Sequence, residues 1–99
     1  IARDCSSLGS VYKKRGDLDK AEEMYRKGLE LNEALDRKEG IAAGYANLGS
    51  VYKKRGDLDK AEELWKKSLH LAQEIGHRNA AMVQGWLDDL AQERSAATQ

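Results

Sequence analysis

Apolar and small residues recur along the chain in steps of three and four, and turn-forming residues punctuate them at regular distances. Ile1, Cys5, Leu8, Gly9 and Tyr12 fall on one side of a helix drawn over residues 1–15. Gly16 ends that helix. Asp17 and Asp19 open the next, where carboxylates suit the free N–H groups and the positive end of the helix dipole. Lys13, Lys14 and Arg15 stand at the opposite, negative end of the first helix. A second helix, predicted from about Leu18 to Leu35, buries Leu18, Ala21, Met24, Tyr25, Gly28, Leu29, Leu31 and Leu35. Asp36-Arg37-Lys38-Glu39 reads as a capping box, with Asp36 as N-cap and Glu39 at the third helical position. The third helix then runs to about Arg55 with Ala42, Tyr45, Leu48, Gly49 and Tyr52 inward. A fourth carries Leu58, Ala61, Leu64, Trp65, Leu69, Ala72 and Ile75 and stops at Gly76. The last, about residues 79–94, separates Met82, Val83, Trp86, Leu87 and Leu90 from a polar side of Gln84, Asp88, Asp89, Gln92 and Glu93. Ser95 to Gln99 carries no pattern and is expected to fray. No run alternates with period two, so the fold class is all-α.

The pattern is also duplicated. The stretch from Leu8 to Glu23 returns letter for letter from Leu48 to Glu63, an offset of 40 residues. A repeat of this length signals stacked supersecondary units. A lone helix pair cannot bury its own apolar face and needs neighbours. The chain is therefore read as one domain with a first unit over about 1–37, a second over about 38–77 and a capping helix over about 79–94. So short an array is expected to be modestly stable, or to associate through its uncovered first helix.

Composition narrows the function classes. Seventeen basic residues balance seventeen acidic ones, which removes any overall pull toward nucleic acid or an anionic membrane. Lys13-Lys14-Arg15 and Lys53-Lys54-Arg55 read as helix-end charge, neutralised by the acidic residues that follow, and not as phosphate sites. Arg15-Gly16-Asp17 spells an adhesion tripeptide, but its glycine is the interhelical turn. His70, Glu74 and His77 are spaced four and three apart, as metal ligands on one helix face would be. Gly76 ends the helix before His77 and no further ligand is near, so no metal is expected. Asp88 and Asp89 are adjacent and diverge on a helix, a poor acid/base pair. The single cysteine, Cys5, excludes an internal disulfide and reads as core filler, not a nucleophile. No enzymatic activity and no cofactor are expected. No apolar run reaches the roughly 18 residues of a membrane span, and no signal peptide is visible. The chain begins at Ile1, not Met, and is read as a piece of a longer, cytoplasmic protein.

Tyr45-x2-Leu48-Gly49-x2-Tyr52 followed by Ala61-x3-Trp65 resembles the tetratricopeptide repeat, as does Cys5-x2-Leu8-Gly9-x2-Tyr12 followed by Ala21-x3-Tyr25. Cys5 replaces the first aromatic, and the family's terminal proline is missing from both units. The 40-residue spacing exceeds the common repeat of about 34. It is similar to the long-repeat branch typified by kinesin light chains and related G-protein-signalling scaffolds, as is the turn Glu74-Ile75-Gly76-His77-Arg78. In the last helix Leu87-x2-Leu90-Ala91 keeps the register, but Arg94 stands where Tyr is expected. The resemblance implies antiparallel helix hairpins stacked into a short right-handed solenoid.

It also implies a concave groove that takes an extended peptide, lined by Ala43, Ala46, Asn47, Ser50, Lys53 and Lys54 and by Arg3, Ser6, Ser7, Ser10, Lys13 and Lys14. Asn47 matches an asparagine that hydrogen-bonds the ligand's main chain in the long-repeat branch. An amide donates and accepts at once, which suits a peptide backbone. Ser7 stands at the matching place of the first unit and Asp89 in the last helix. Ser6 and Ser10 occupy the positions of the Lys–Asn pair of chaperone-binding members, which argues against a chaperone tail. The peptide-binding candidates are Asn47, Ser50, Ala43, Lys54, Ser6, Ser10 and Lys14. Small groove residues with lysines at one end suit an acidic or carboxylate-bearing partner. The expected function is a protein-interaction scaffold, with no nucleic-acid or membrane partner. Self-assembly through the duplicated units, and a regulatory array attached to an enzyme or sensor domain, are the alternatives.

Overall fold

The computed structural model describes residues 2–76 and 79–97. Five helices follow in order: α1 (Ala2–Lys14), α2 (Leu18–Ala34), α3 (Lys38–Arg55), α4 (Leu58–Glu74) and α5 (Asn79–Ala97). There is no strand among the described residues. Helices α1 and α2 form one antiparallel hairpin, α3 and α4 the second, and α5 lies against α4. The Cα extents of 44 × 32 × 16 Å describe a slab two helices thick.

Identical sequence produces identical turns. Gly16 and Gly56 sit at φ +84° and +87°, the left-handed region that a Cβ disfavours. The following Asp17 and Asp57 N–H groups reach back to the Tyr12 and Tyr52 carbonyls at 2.9 Å in both hairpins. Each aspartate then caps the next helix, its Oδ1 accepting from the Lys20 or Lys60 N–H at 3.2 Å. Nothing lies within 4 Å of a Cβ built on either glycine, so backbone conformation and not crowding selects glycine there.

The link between hairpins departs from expectation. Asp36 does not cap α3. It sits at φ +52° as the left-handed residue that terminates α2, with the Arg37 N–H bonded to the Asn32 carbonyl at 2.9 Å. Arg37 becomes the N-cap of α3 and makes no side-chain cap bond. With three residues between the helices, the stop signal of α2 consumes the residue that a capping box would need. Leu35, expected in the core, lies beyond the end of α2 and is exposed. At the other end α5 continues through Ser95 to Ala97 instead of fraying.

The core has two parts. Ala21, Tyr25, Leu29, Leu48, Val51 and Leu64 form the first, between α2 and the α3–α4 hairpin. Ala46, Ala61, Trp65, Val83 and Leu90 form the second, between that hairpin and α5. Within a hairpin the backbones close over glycine: a Cβ on Gly9 would stand 2.7 Å from the Tyr25 ring, and one on Gly49 would overlap the Trp65 indole. Trp65 Nε1 donates to the Ala46 carbonyl at 3.0 Å and Ser68 Oγ to that of Ala42 at 2.7 Å, so the polar atoms of this packed seam are paired. Leu8, Met82 and Ile75 were expected inward but are exposed. Leu8 lies on the outer side of the first hairpin, where no helix among the described residues covers it.

Candidate functional site

Helices α1, α3 and α5 leave a run of clefts along one face of the slab. The central cleft, about 110 Å³, is walled by α3, α4 and α5. Ala42, Ala43 and Ala46 give it a floor without bulk, and Met82, Val83 and Trp86 form an apolar wall. Asn47 stands at its edge, half-buried. Its carboxamide has no hydrogen-bond partner among the described residues, so both its donor and its acceptor are uncommitted.

A second cleft opens where α1 approaches α3, lined by Ser6, Gly40 and Ala43 together with Arg37 and Lys38. A third lies at the C-terminal ends of α1 and α3, where Lys13, Lys53 and Lys54 surround Ser50 and the edges of Trp65 and Trp86. The cationic side of this third cleft is incompletely neutralised. Lys53 is 3.7 Å from Glu93. Partial burial and then the neighbouring ammonium groups of Lys54 and Lys14 push Lys13 below the ordinary lysine value.

Most of the residues expected from the sequence therefore meet on this face, but with different roles. Ala43 and Asn47 share the central cleft, Ser6 and Ala43 the second, Ser50 and Lys54 the third. Ser10 instead turns into its hairpin, its Oγ 2.9 Å from the Tyr25 hydroxyl. Ser50 Oγ donates to the Ala46 carbonyl of its own helix at 3.2 Å, which leaves its acceptor capacity to the cleft. Lys14 is exposed and lines none of these three clefts, acting on the site only through its charge on Lys13. Ala46, expected in the groove, lines the central cleft from a nearly buried position, its carbonyl accepting from Trp65 Nε1. Trp86 joins two clefts and packs 5.5 Å from Trp65 between ring centroids, yet its sequence spacing marks it only as core. The His70, Glu74 and His77 constellation is incomplete here because His77 lies outside the described residues. No His, Cys, Asp and Glu cluster suited to a metal occurs among the described residues.

A family model for the tetratricopeptide repeat matches residues 5–74. The chain belongs to the tetratricopeptide repeat family. Among solved structures it is similar to the crystal structure of BtubC (BKLC) from P. vanneervenii, with a TM-score of 0.83 and 23% sequence identity. The alignment covers 94% of this chain, which spans 39% of that one. No curated protein matches the sequence. The shared architecture is that of stacked tetratricopeptide hairpins, a fold whose members generally mediate contacts between proteins.

Proposed function

We propose that this tetratricopeptide domain is a non-enzymatic scaffold that binds an extended, acidic peptide segment along the face formed by α1, α3 and α5. The observation that carries the reading is Asn47, an uncommitted amide above a floor of alanines. A peptide backbone offers it one N–H and one C=O, and the small floor lets the main chain approach. Ser6 and Ala43 extend the track in one direction. Ser50, Lys54 and Lys13 extend it in the other toward a cationic end that matches carboxylates. The helices hold these groups in place before the ligand arrives, so little ordering cost falls on the protein.

The test is equilibrium binding of the chain to a pool of extended peptides graded from basic to acidic. Acidic members should be retained, and added salt should weaken them because the lysines are exposed. Asn47→Ala should weaken binding roughly tenfold, about the worth of a hydrogen bond to a polar backbone group. Lys54→Glu should abolish the preference for acidic sequences. Retention of the same peptides at the same strength by the double variant would overturn the reading.

A further inference from the structure

One amide in the second cleft is not explained by packing. Asn32, on the last turn of α2, is 8% exposed, yet its carboxamide has no hydrogen-bond partner among the described residues. Its polar atoms are not sealed away, and the residue lines the cleft between α1 and α3. The carboxamide lies against Gly40, where a Cβ would overlap it. Stacking does not require this pair. Forty residues on, at the junction of α4 with α5, Ala72 and Ala80 hold the equivalent positions, and Ala72 is 1% exposed. An enclosed amide without a partner costs stability, and so does glycine in place of alanine in a helix. The first junction carries both, where the second closes with alanines.

The groups beside Asn32 are mainly donors. Gly40 is the third residue of α3, and no side chain caps that helix. The backbone N–H groups of Lys38 and Gly40 therefore have no acceptor among the described residues. Arg37, which precedes them, is exposed and makes no ion pair among the described residues. The Lys38 ammonium is held by Glu74 at 2.9 Å. Donors gathered at the positive end of a helix dipole select an acceptor with negative charge. Nearby acids limit that charge: Glu39 lines the cleft, and Asp36 is close enough to Lys38 to act on it. The second charge of a phosphate would meet them, so a singly charged carboxylate suits the cleft better.

We propose that the second cleft is a carboxylate site. The Asn32 amide, the first-turn N–H groups of Lys38 and Gly40, and the Arg37 guanidinium receive one carboxylate of a bound ligand. The proposal rests on the concave-face reading for the source of that group, an acidic side chain of the bound segment. It adds an anion-binding position at the start of α3 to the lysines near its end.

The test titrates the isotope-labelled chain with sodium acetate, at an ionic strength held constant with sodium chloride, and follows the Asn32 side-chain and Gly40 backbone amides by NMR. Both should shift and saturate with acetate and stay still in chloride alone. Asn32→Ala, which installs the residue of the second junction, should weaken acetate roughly tenfold and leave the urea midpoint unchanged or higher. Asn32→Asp, of the same shape, should abolish binding by repulsion. Arg37→Met should weaken it up to about fivefold, the worth of an exposed charge pair. Sodium phosphate should bind no more tightly than acetate. Absence of a saturating shift at Asn32 and Gly40 overturns the proposal, as does undiminished binding by the two Asn32 variants. So does a clear fall in the urea midpoint of Asn32→Ala, which would make Asn32 a packing residue, and so does tighter binding of phosphate. The graded peptides separate this site from the reading it rests on. Acidic peptides weakened by Asn47→Ala but not by Asn32→Ala would refute the site and leave the concave-face reading standing. Saturation by acetate in a chain that retains no acidic peptide would do the reverse.

Discussion

At the scale of single residues, the behaviour of each side chain follows from what stands beside it. Lys13 is the clearest case. Partial burial and the charges of Lys54 and Lys14 lower its affinity for a proton. A base whose folded value is depressed opposes folding while it is charged, and the chain gains stability as pH rises through that folded value. Lys54→Met should move the Lys13 titration part of the way back toward 10.5, read by NMR of the side-chain ammonium, because it removes the more strongly acting of the two neighbouring charges. An acidic peptide in the concave face should shift it the same way. Glu74 is lowered for the opposite reason, because its charged form is favoured: its hydrogen bond to Lys38, 2.9 Å long, holds it below the ordinary 4.5. That exposed pair contributes above the unfolded value and is lost as pH falls through the folded one. Lys38→Met should bring the Glu74 titration back up without measurable loss of fold.

Helices and their contacts decide which residues are available. The Gly49 position lets α3 and α4 approach until the Trp65 indole fills the space a Cβ would take. Alanine is the better helix former by about 1 kcal/mol, but the indole is rigid and bonded to the Ala46 carbonyl. Overpacking therefore wins, and Gly49→Ala should destabilise the chain by about 1–3 kcal/mol, measured by urea unfolding. The helix count and order, the glycine stops and the aspartate caps were legible in the sequence, because each rests on local chemistry that Gly16-Asp17 and Gly56-Asp57 state twice. The capping box at Asp36 was not, since the same residue also had to end α2, and a three-residue link satisfies only one demand. Asn47, Ala43 and Lys54, expected on one outer stripe from periodicity and resemblance, line clefts along α3. Ser10 was misplaced because a hydroxyl near a helix edge turns to whichever partner is closer, here Tyr25. Trp86 escaped notice because a large side chain spanning core and cleft carries the spacing of core alone.

Across the whole molecule, stability is a sum over junctions between neighbours. The junction of α4 with α5 rests on Trp65, Val83 and Leu90, with Arg94 clasping Asp59 and Glu62 at its rim. Leu90→Ala should cost about 2–5 kcal/mol in thermal or denaturant unfolding, as expected of a fully buried leucine, whereas Arg94→Met should cost under about 1 kcal/mol. No helix among the described residues is long and apolar enough to cross a membrane, and Leu8, Val11, Leu35, Ile75 and Met82 are exposed. The clefts along α1, α3 and α5 depend on that stacking, because these helices line one face only if the hairpins nest in order. The most direct measurement is paramagnetic relaxation of methyl groups by a soluble agent. Leu48 and Val51 methyls should be protected, and those of Leu8 and Val11, in an identical local sequence, should be strongly relaxed. Equal relaxation at the two pairs would contradict the stacked arrangement.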